Sequence, residues 1–254
     1  MDPRTHRSHD YVHLVKRWRG VARAAGLPLR FLARAGDYKT WYLKTMALGA
    51  EGGLYISASI HGDEPGGAEA LVTWAETNAR LLSRLPCIIF PCLNPWGLVN
   101  NRRVDQEGRD LNRLFHHDDI PVIHAVKTLV KPHQFDVALM LHEDYDGQGI
   151  YLYETEREHP VWAESLIKIA RSVIPVDQRL RIDGRKVTKP GIARRKINMK
   201  IFEKIGYPEA IHLHLFHSKR TFTIETPSEF ALDQRVAAHM TIIRECVKRI
   251  INKE

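Results

Sequence analysis

Among the residues able to hold a metal or move a proton, four stand out by position, and three of these fall where apolar segments end. Ile60 precedes His61, Leu141 precedes His142 and Ile224 precedes Glu225. The segments they close are apolar and partly β-branched, as buried strands are. Open α/β sheets form their sites beyond the carboxyl ends of strands. Glu64 stands three residues after His61, an HxxE spacing. Two imidazoles and one carboxylate make a His2Glu set, which leaves one zinc position open for water, as a catalytic site requires. Taken singly, each residue has a plainer reading. HxxE arises by chance, a histidine at a strand end is commonly a hydrogen-bonded core or surface group, and Glu225 also reads as an ion-pair partner. The metal reading comes from their shared position, with an Asn- and Arg-rich stretch, 94–115, between them. A loop that long inside a domain is usually functional.

The surrounding pattern supplies the elements that must position these residues. Tyr11–Ala25 reads as an amphipathic helix stopped by Gly26 and Pro28. Residues 29–33 and 41–48 read as short strands, and 53–60 as a clearer one that runs into the turn-rich 61–67. A helix is expected over 68–82, a strand at Cys87–Phe90, a helix over 120–130, and strands over 137–141 and 150–153. A helix over 160–173 and a strand over 221–224 follow. Val236, Met240, Ile243, Val247 and Ile250 recur at steps of four and three, so the last helix lays one face on a core. Strands alternating with helices imply one α/β domain over residues 1–254: an open, mixed, mostly parallel sheet with helices on both faces.

With 44% hydrophobic and 27% charged residues in 254, the composition is that of a globular protein, which excludes disorder, collagen and coiled coil. No apolar run is long enough to span a bilayer. Residues 1–7 place no apolar stretch behind their basic residues, so no signal peptide is expected. Cys87, Cys92 and Cys246 are odd in number and form no CxxC pair, which points to a reducing cytoplasm. Lys and Arg number 38 against 30 Asp and Glu, a net charge of +8. That charge is compatible with nucleic acid, an acidic membrane, an acidic small substrate or plain solubility. The densest basic stretch, with Arg181, Arg185, Lys186, Arg194, Arg195 and Lys196, has almost no aromatic residue to stack a base. Neither a nucleic-acid nor a membrane partner is expected, and the oligomeric state leaves no signal.

A longer set of motifs adds a family resemblance. In order come His61-Gly62-Asp63-Glu64, then Asn94-Pro95-Trp96-Gly97, then 103–115 with Gly108-Arg109-Asp110-Leu111-Asn112-Arg113, then Leu141-His142-Glu143, then Thr223-Ile224-Glu225-Thr226-Pro227. This series resembles the zinc carboxypeptidases of the carboxypeptidase A type. The short form is most similar to bacterial cytoplasmic members such as murein peptide amidases. The resemblance implies the zinc carboxypeptidase-like (phosphorylase/hydrolase-like) fold and a Zn2+ ion on His61, Glu64 and His142. It implies Glu225 as general base and Arg103, with Arg102 as the alternative, as stabiliser of the oxyanion. Asn112 and Arg113 would hold the terminal carboxylate of a small peptide, and Asp110 would orient the first zinc histidine. The substrate-capping tyrosine falls to Tyr207 by position, with Tyr151 and Tyr153 still open.

The chain departs from the usual family pattern at Trp96, Arg109 and Leu114, which implies a reshaped pocket. The pocket is expected between residues 206 and 225, where His212-Leu213-His214-Leu215-Phe216-His217 shows no acidic or apolar floor. Hydrolysis next to a C-terminal residue or unit with a free carboxylate is the leading expectation. Two alternatives remain. One is an N-acyl amino acid deacylase of the aspartoacylase/succinylglutamate desuccinylase type, disfavoured by the single helix after Glu225. The other is a catalytically silent zinc- or peptide-binding module.

Overall fold

The computed structural model describes residues 7–155, 162–187, 189–195 and 197–253. Helix α1 (Tyr11–Ala25) starts where the Asp10 carboxylate accepts the His13 N–H at 2.8 Å and ends at Gly26, φ 65°. The hairpin β1 (Leu29–Ala35) and β2 (Tyr38–Lys44) follows, then β3 (Leu54–Ala58), buried at every residue. Next come α2 (Pro65–Thr77), the single turn α3 (Ala79–Leu82), β4 (Cys87–Phe90) and α4 (Pro95–Asn100). After a 3-10 turn at Leu111–Arg113 come α5 (Pro121–Val130), β5 (Phe135–Asp144), β6 (Tyr151–Thr155) and α6 (Ala163–Ala170). A small hairpin, β7 (Arg181–Ile182) and β8 (Arg185–Lys186), leads to β9 (Ile192–Arg195). The chain closes with α7 (Met199–Ile205), α8 (Glu209–Phe216), β10 (Ser218–Pro227) and α9 (Leu232–Asn252).

Eight strands form one sheet in the order β1-β2-β4-β3-β5-β10-β6-β9. The centre, β4-β3-β5-β10, is parallel, and β2 and β6 run antiparallel to it on either side. This is the mixed, mostly parallel sheet expected. Alternation along each strand divides the core. Leu54, Ile56, Leu139, Leu141, Phe222 and Ile224 pack under α1, α2 and α9, while Tyr55, Ala138 and Met140 face α5 and α8.

Several boundaries differ from the sequence reading. The helix expected over 68–82 begins at Pro65, whose fixed φ suits a first helical position, and breaks at Asn78. The Asn78 amide donates instead to the Trp74 carbonyl at 2.8 Å. The stretch 94–115 is not all loop: Asn94 accepts the Gly97 N–H at 2.9 Å and starts α4. Strands β5 and β10 run on past His142 and Glu225, so both residues lie inside strands. Of the helix expected over 160–173, Ala163–Ala170 is helical and 171–173 form a turn; residues 160 and 161 lie outside the described residues, as do 1–6 and Lys196. The three cysteines are buried and unpaired. Among the described residues, no helix is long and apolar enough to cross a membrane.

One buried side chain on α8 bears on stability. The His212 ring packs near Phe115, Phe216 and His217, and its Nε2 has no partner among the described residues. Burial, then the charges of His217 and Lys127, lower its pKa to about 4, with Asp118 opposing. The unfolded chain takes up this proton near the ordinary value of 6.5 and the folded chain only near 4, so stability is lost as pH falls through that window. His212→Phe is expected to flatten this acid-side loss, read by melting temperature between pH 7 and pH 4. An equal loss in both proteins rejects the assignment.

Candidate active site

The site gathers at the carboxyl ends of β3, β5 and β10, neighbours in the middle of the sheet. His61 lies three residues beyond β3, and Glu64 is the residue before α2. His61, Glu64 and His142 are all buried, and one ligating atom from each lies within 4.8 Å of the others. The two oxygens of Glu64 face different imidazoles: Oε1 is 2.6 Å from His61 Nδ1, and Oε2 is 2.7 Å from His142 Nδ1. The N–H of Glu143 also donates to Oε2, at 3.1 Å. On the far side of the His61 ring, Nε2 lies 3.2 Å from Asp110 Oδ1. Burial works to lower the His61 pKa, but the carboxylates of Glu64 and Asp110 outweigh it and raise it to about 9. Those same histidines overcome the burial of Glu64 and hold its pKa far below the ordinary value.

This donor set fits a metal ion. Two Nδ1 atoms and a carboxylate converge from rigid elements, and the outer nitrogen of one histidine is backed by a carboxylate, as in metal-bound histidines. An ion would be held by His61, Glu64 and His142, with Asp110 fixing the His61 ring.

The glycines of the two loops let them touch. A Cβ on Gly62 would lie 1.9 Å from the Gly97 carbonyl carbon, so only glycine fits between the His61 loop and α4. The Gly62 N–H donates to the Arg102 carbonyl at 3.1 Å, and the Asn94 amide donates to the carbonyls of Arg103 and Val104. The 102–104 segment is thus carried against the His61 loop. Arg103 Nε donates to Asp110 Oδ2 at 3.1 Å, and its Nη1 is 3.6 Å from Glu64 Oε1. Arg102 and Arg103 are both exposed, and it is Arg103 that reaches Asp110 and Glu64. Arg109 forks onto Asp105 and Glu107, so this departure from the family pattern braces its own loop.

Asn112 is buried, and its Oδ1 accepts the Glu209 N–H at the start of α8, at 3.0 Å. Arg113 Nη1 donates to the Asn112 carbonyl at 3.0 Å, while its Nε and Nη2 have no acceptor among the described residues. Tyr207 is tied to the same strip: its N–H donates to the Arg113 carbonyl at 2.6 Å and its carbonyl accepts from Phe115 at 2.9 Å. Its ring packs near His116 and Phe202, and burial raises its pKa.

Glu225 stands beside His142 in the parallel register and opposite Tyr151 in the antiparallel one. Burial pushes its pKa up to about 8; His142 opposes this, while Glu64, Asp144 and Asp183 add to it. The Tyr151 hydroxyl donates to Asp144 Oδ2 at 2.9 Å, and Arg179 joins Asp144 to Asp177. Tyr153 donates to Asp183. Tyr151 and Tyr153 therefore sit on the Glu225 side and Tyr207 on the Arg113 side.

Sequence reasoning missed the Asp144–Arg179–Asp177 brace, which no motif marks. It also missed Glu209, a fully buried carboxyl that accepts from the Tyr55 hydroxyl and whose pKa burial raises. The histidines expected to line a pocket, His212, His214 and His217, are buried on and just after α8.

Residues 51–160 match the succinylglutamate desuccinylase/aspartoacylase catalytic-domain family. That span holds His61, Glu64, Arg103, Asp110, Asn112, Arg113 and His142 and stops before Glu225. A Shewanella amazonensis protein provisionally named a metallopeptidase superposes with a TM-score of 0.84 at 21% identity, over 96% of this chain and 94% of that one. A metallo-carboxypeptidase from Burkholderia cenocepacia superposes with a TM-score of 0.68 at 15% identity, over 94% of this chain and 69% of that one. A Pseudomonas aeruginosa metallo-carboxypeptidase in complex with (2-guanidinoethylmercapto)succinic acid gives 0.64 at 15% identity, over 94% and 68%. No curated protein matches the sequence. The fold is the zinc carboxypeptidase-like one.

Proposed function

We propose that this chain is a zinc-dependent hydrolase that cuts the amide bond to a C-terminal residue or unit bearing a free carboxylate. The observation that carries the reading is the convergence of His61, Glu64 and His142 on one point with Glu225 beside it. Zinc, when bound there, lowers the pKa of water and polarises a carbonyl. Glu225, beside His142 in the register, takes the proton of the attacking water and passes it to the leaving amine. Arg103, held by Asp110 beside Glu64, supplies fixed positive charge where the carbonyl oxygen becomes negative. Asp110 also keeps the His61 ring in place. Asn112 presents its amide N–H2, since its oxygen is used by α8, and Arg113 presents the free part of its guanidinium. Together they grip a carboxylate, and Tyr207, anchored to the same strip, borders it. The substrate is then a small peptide, and murein peptides belong in the panel. A reducing cytoplasmic setting accords with the buried, unpaired cysteines.

A second reading is favoured by the family match over 51–160: removal of an acyl group from an N-acyl amino acid, which also ends in a carboxylate. The two part on substrate. Peptides with varied C-termini, murein tripeptide and tetrapeptide, N-acetylaspartate and N-succinylglutamate are to be tested on the zinc-loaded protein. Peptide turnover without deacylation supports the first reading, and the reverse pattern the second.

Arg113 gives the sharper test. A charge-assisted hydrogen bond contributes about 1.5–3 kcal/mol, so C-terminally amidated peptides are expected to be cut about tenfold to a hundredfold more slowly than free acids. Arg113→Ala should erase most of that difference. Arg113→Lys should recover it in part, because an ammonium cannot meet both oxygens in one plane. The measurement is kcat/KM for matched acid and amide substrates. Equal rates with the unmutated protein would make Arg113 a structural loop residue.

A further inference from the structure

The reverse side of the site carries a carboxylate that none of these steps uses. Successive strand residues face opposite sides of a sheet. His142 and Glu225 are register partners on one face, and their neighbours Glu143 and Thr226 are register partners on the other. The Glu143 side chain is fully buried. Its Oε1 accepts from Arg235 Nη1 on α9 at 2.6 Å and from the Thr226 hydroxyl at 3.4 Å. Its Oε2 accepts the Gly66 N–H at 3.2 Å. A Cβ on Gly66 would sit 2.3 Å from Glu143 Oε1, so glycine there is what admits the carboxylate. Thr226 Oγ1 in turn lies 3.1 Å from His239 Nε2 on α9.

Apart from Arg235 and His239 on α9, each partner on this side lies within two residues of a group of the site. Glu143 follows His142 and its N–H holds Glu64. Gly66 is two residues beyond Glu64, and Thr226 follows Glu225. We propose that Glu143, neutralised by Arg235, is a positioning residue: one buried carboxylate ties the start of α2, the ends of β5 and β10, and α9 into a single frame, and so fixes Glu64, His142 and Glu225 relative to one another. The proposal rests on the zinc reading of the site. A carboxylate suits the task because it accepts from donors on several elements at once. Arg235 suits it because a buried charge needs an opposite charge within reach. A pair that served stability alone would leave the metal site as it was when replaced by neutral groups of similar shape.

The test compares Glu143→Gln, Arg235→Lys and the double variant Glu143→Gln/Arg235→Met with the unmutated protein. Zinc affinity is read by chelator competition, stability by melting of the zinc-free protein, and kcat and KM separately. Glu143→Gln is expected to weaken zinc binding about 10–100-fold, the range found for groups behind metal ligands. It should lower kcat with KM nearly unchanged, and Arg235→Lys should retain most of both. The double variant leaves no charge buried alone, so it folds where a single variant does not, and it is expected to show the same weakened zinc binding. If the unmutated protein and the folded variants bind zinc equally, with only the melting temperature moved, the positioning role is overturned and the metal site stands. If the unmutated protein binds no zinc, both are overturned.

Discussion

Glu225→Gln is expected to lower kcat by about 10²–10⁴-fold while zinc stays bound, the effect of removing a general base. Glutamine keeps the size of the side chain and removes the proton acceptor. The backbone has little freedom to compensate, because β10 is hydrogen-bonded to β5 on one edge and to β6 on the other. The raised pKa of Glu225 comes first from burial, and an amide avoids that charge penalty, so the variant is expected to melt no lower than the parent. Turnover per bound zinc is the quantity to measure. A rate near that of the unmutated protein would remove Glu225 from the mechanism.

His61→Ala and His142→Ala are each expected to take the protein from about one zinc per chain to sub-stoichiometric zinc, with turnover lost along with it, since a catalytic zinc needs three protein ligands. The two should differ from Asp110→Asn. Asp110 touches the outer nitrogen of His61, so its loss is expected to weaken zinc only about 10–100-fold. Metal analysis after dialysis separates the cases. Full zinc in His61→Ala would mean that the buried cluster is a polar network rather than a metal site.

The parts of the fold legible in the sequence were those in which one physical signal dominated. β3 and β4 are buried on both faces and read as unbroken apolar runs. α1 carries a capping Asp10 and a terminating Gly26, and α9 carries an apolar face. His61, His142 and Glu225 were legible as polar groups where such runs end, and Glu64 by its HxxE spacing from His61. The stretch 179–217 was not. β7 and β8 have two residues each, too few for alternation to show. α8 buries residues all around its axis, Glu209, Ile211, His212, Leu213 and His214, so no face repeats. Glu143 lay beside a named histidine and was still missed, because its role depends on which face of β5 it takes and on an arginine 92 residues away.

The division of the site between strand and loop has an evolutionary consequence. His142 and Glu225 are built into paired central strands of the sheet, whereas Asn112, Arg113 and Tyr207 lie outside the strands on two segments held to each other by backbone bonds. Under the roles proposed above, the residues that grip the substrate can change with less effect on the sheet than those that act on the bond. Exchanging the 111–115 and 206–208 segments together for those of a differently selective protein of this fold, with Asp110 kept, is expected to change the substrate preferred while leaving His61, Glu64, His142 and Glu225 in place, because loops on a rigid scaffold tolerate replacement where strands do not. Moving either segment alone would break the pairing between Leu114 and Tyr207, so the two have to vary as a unit.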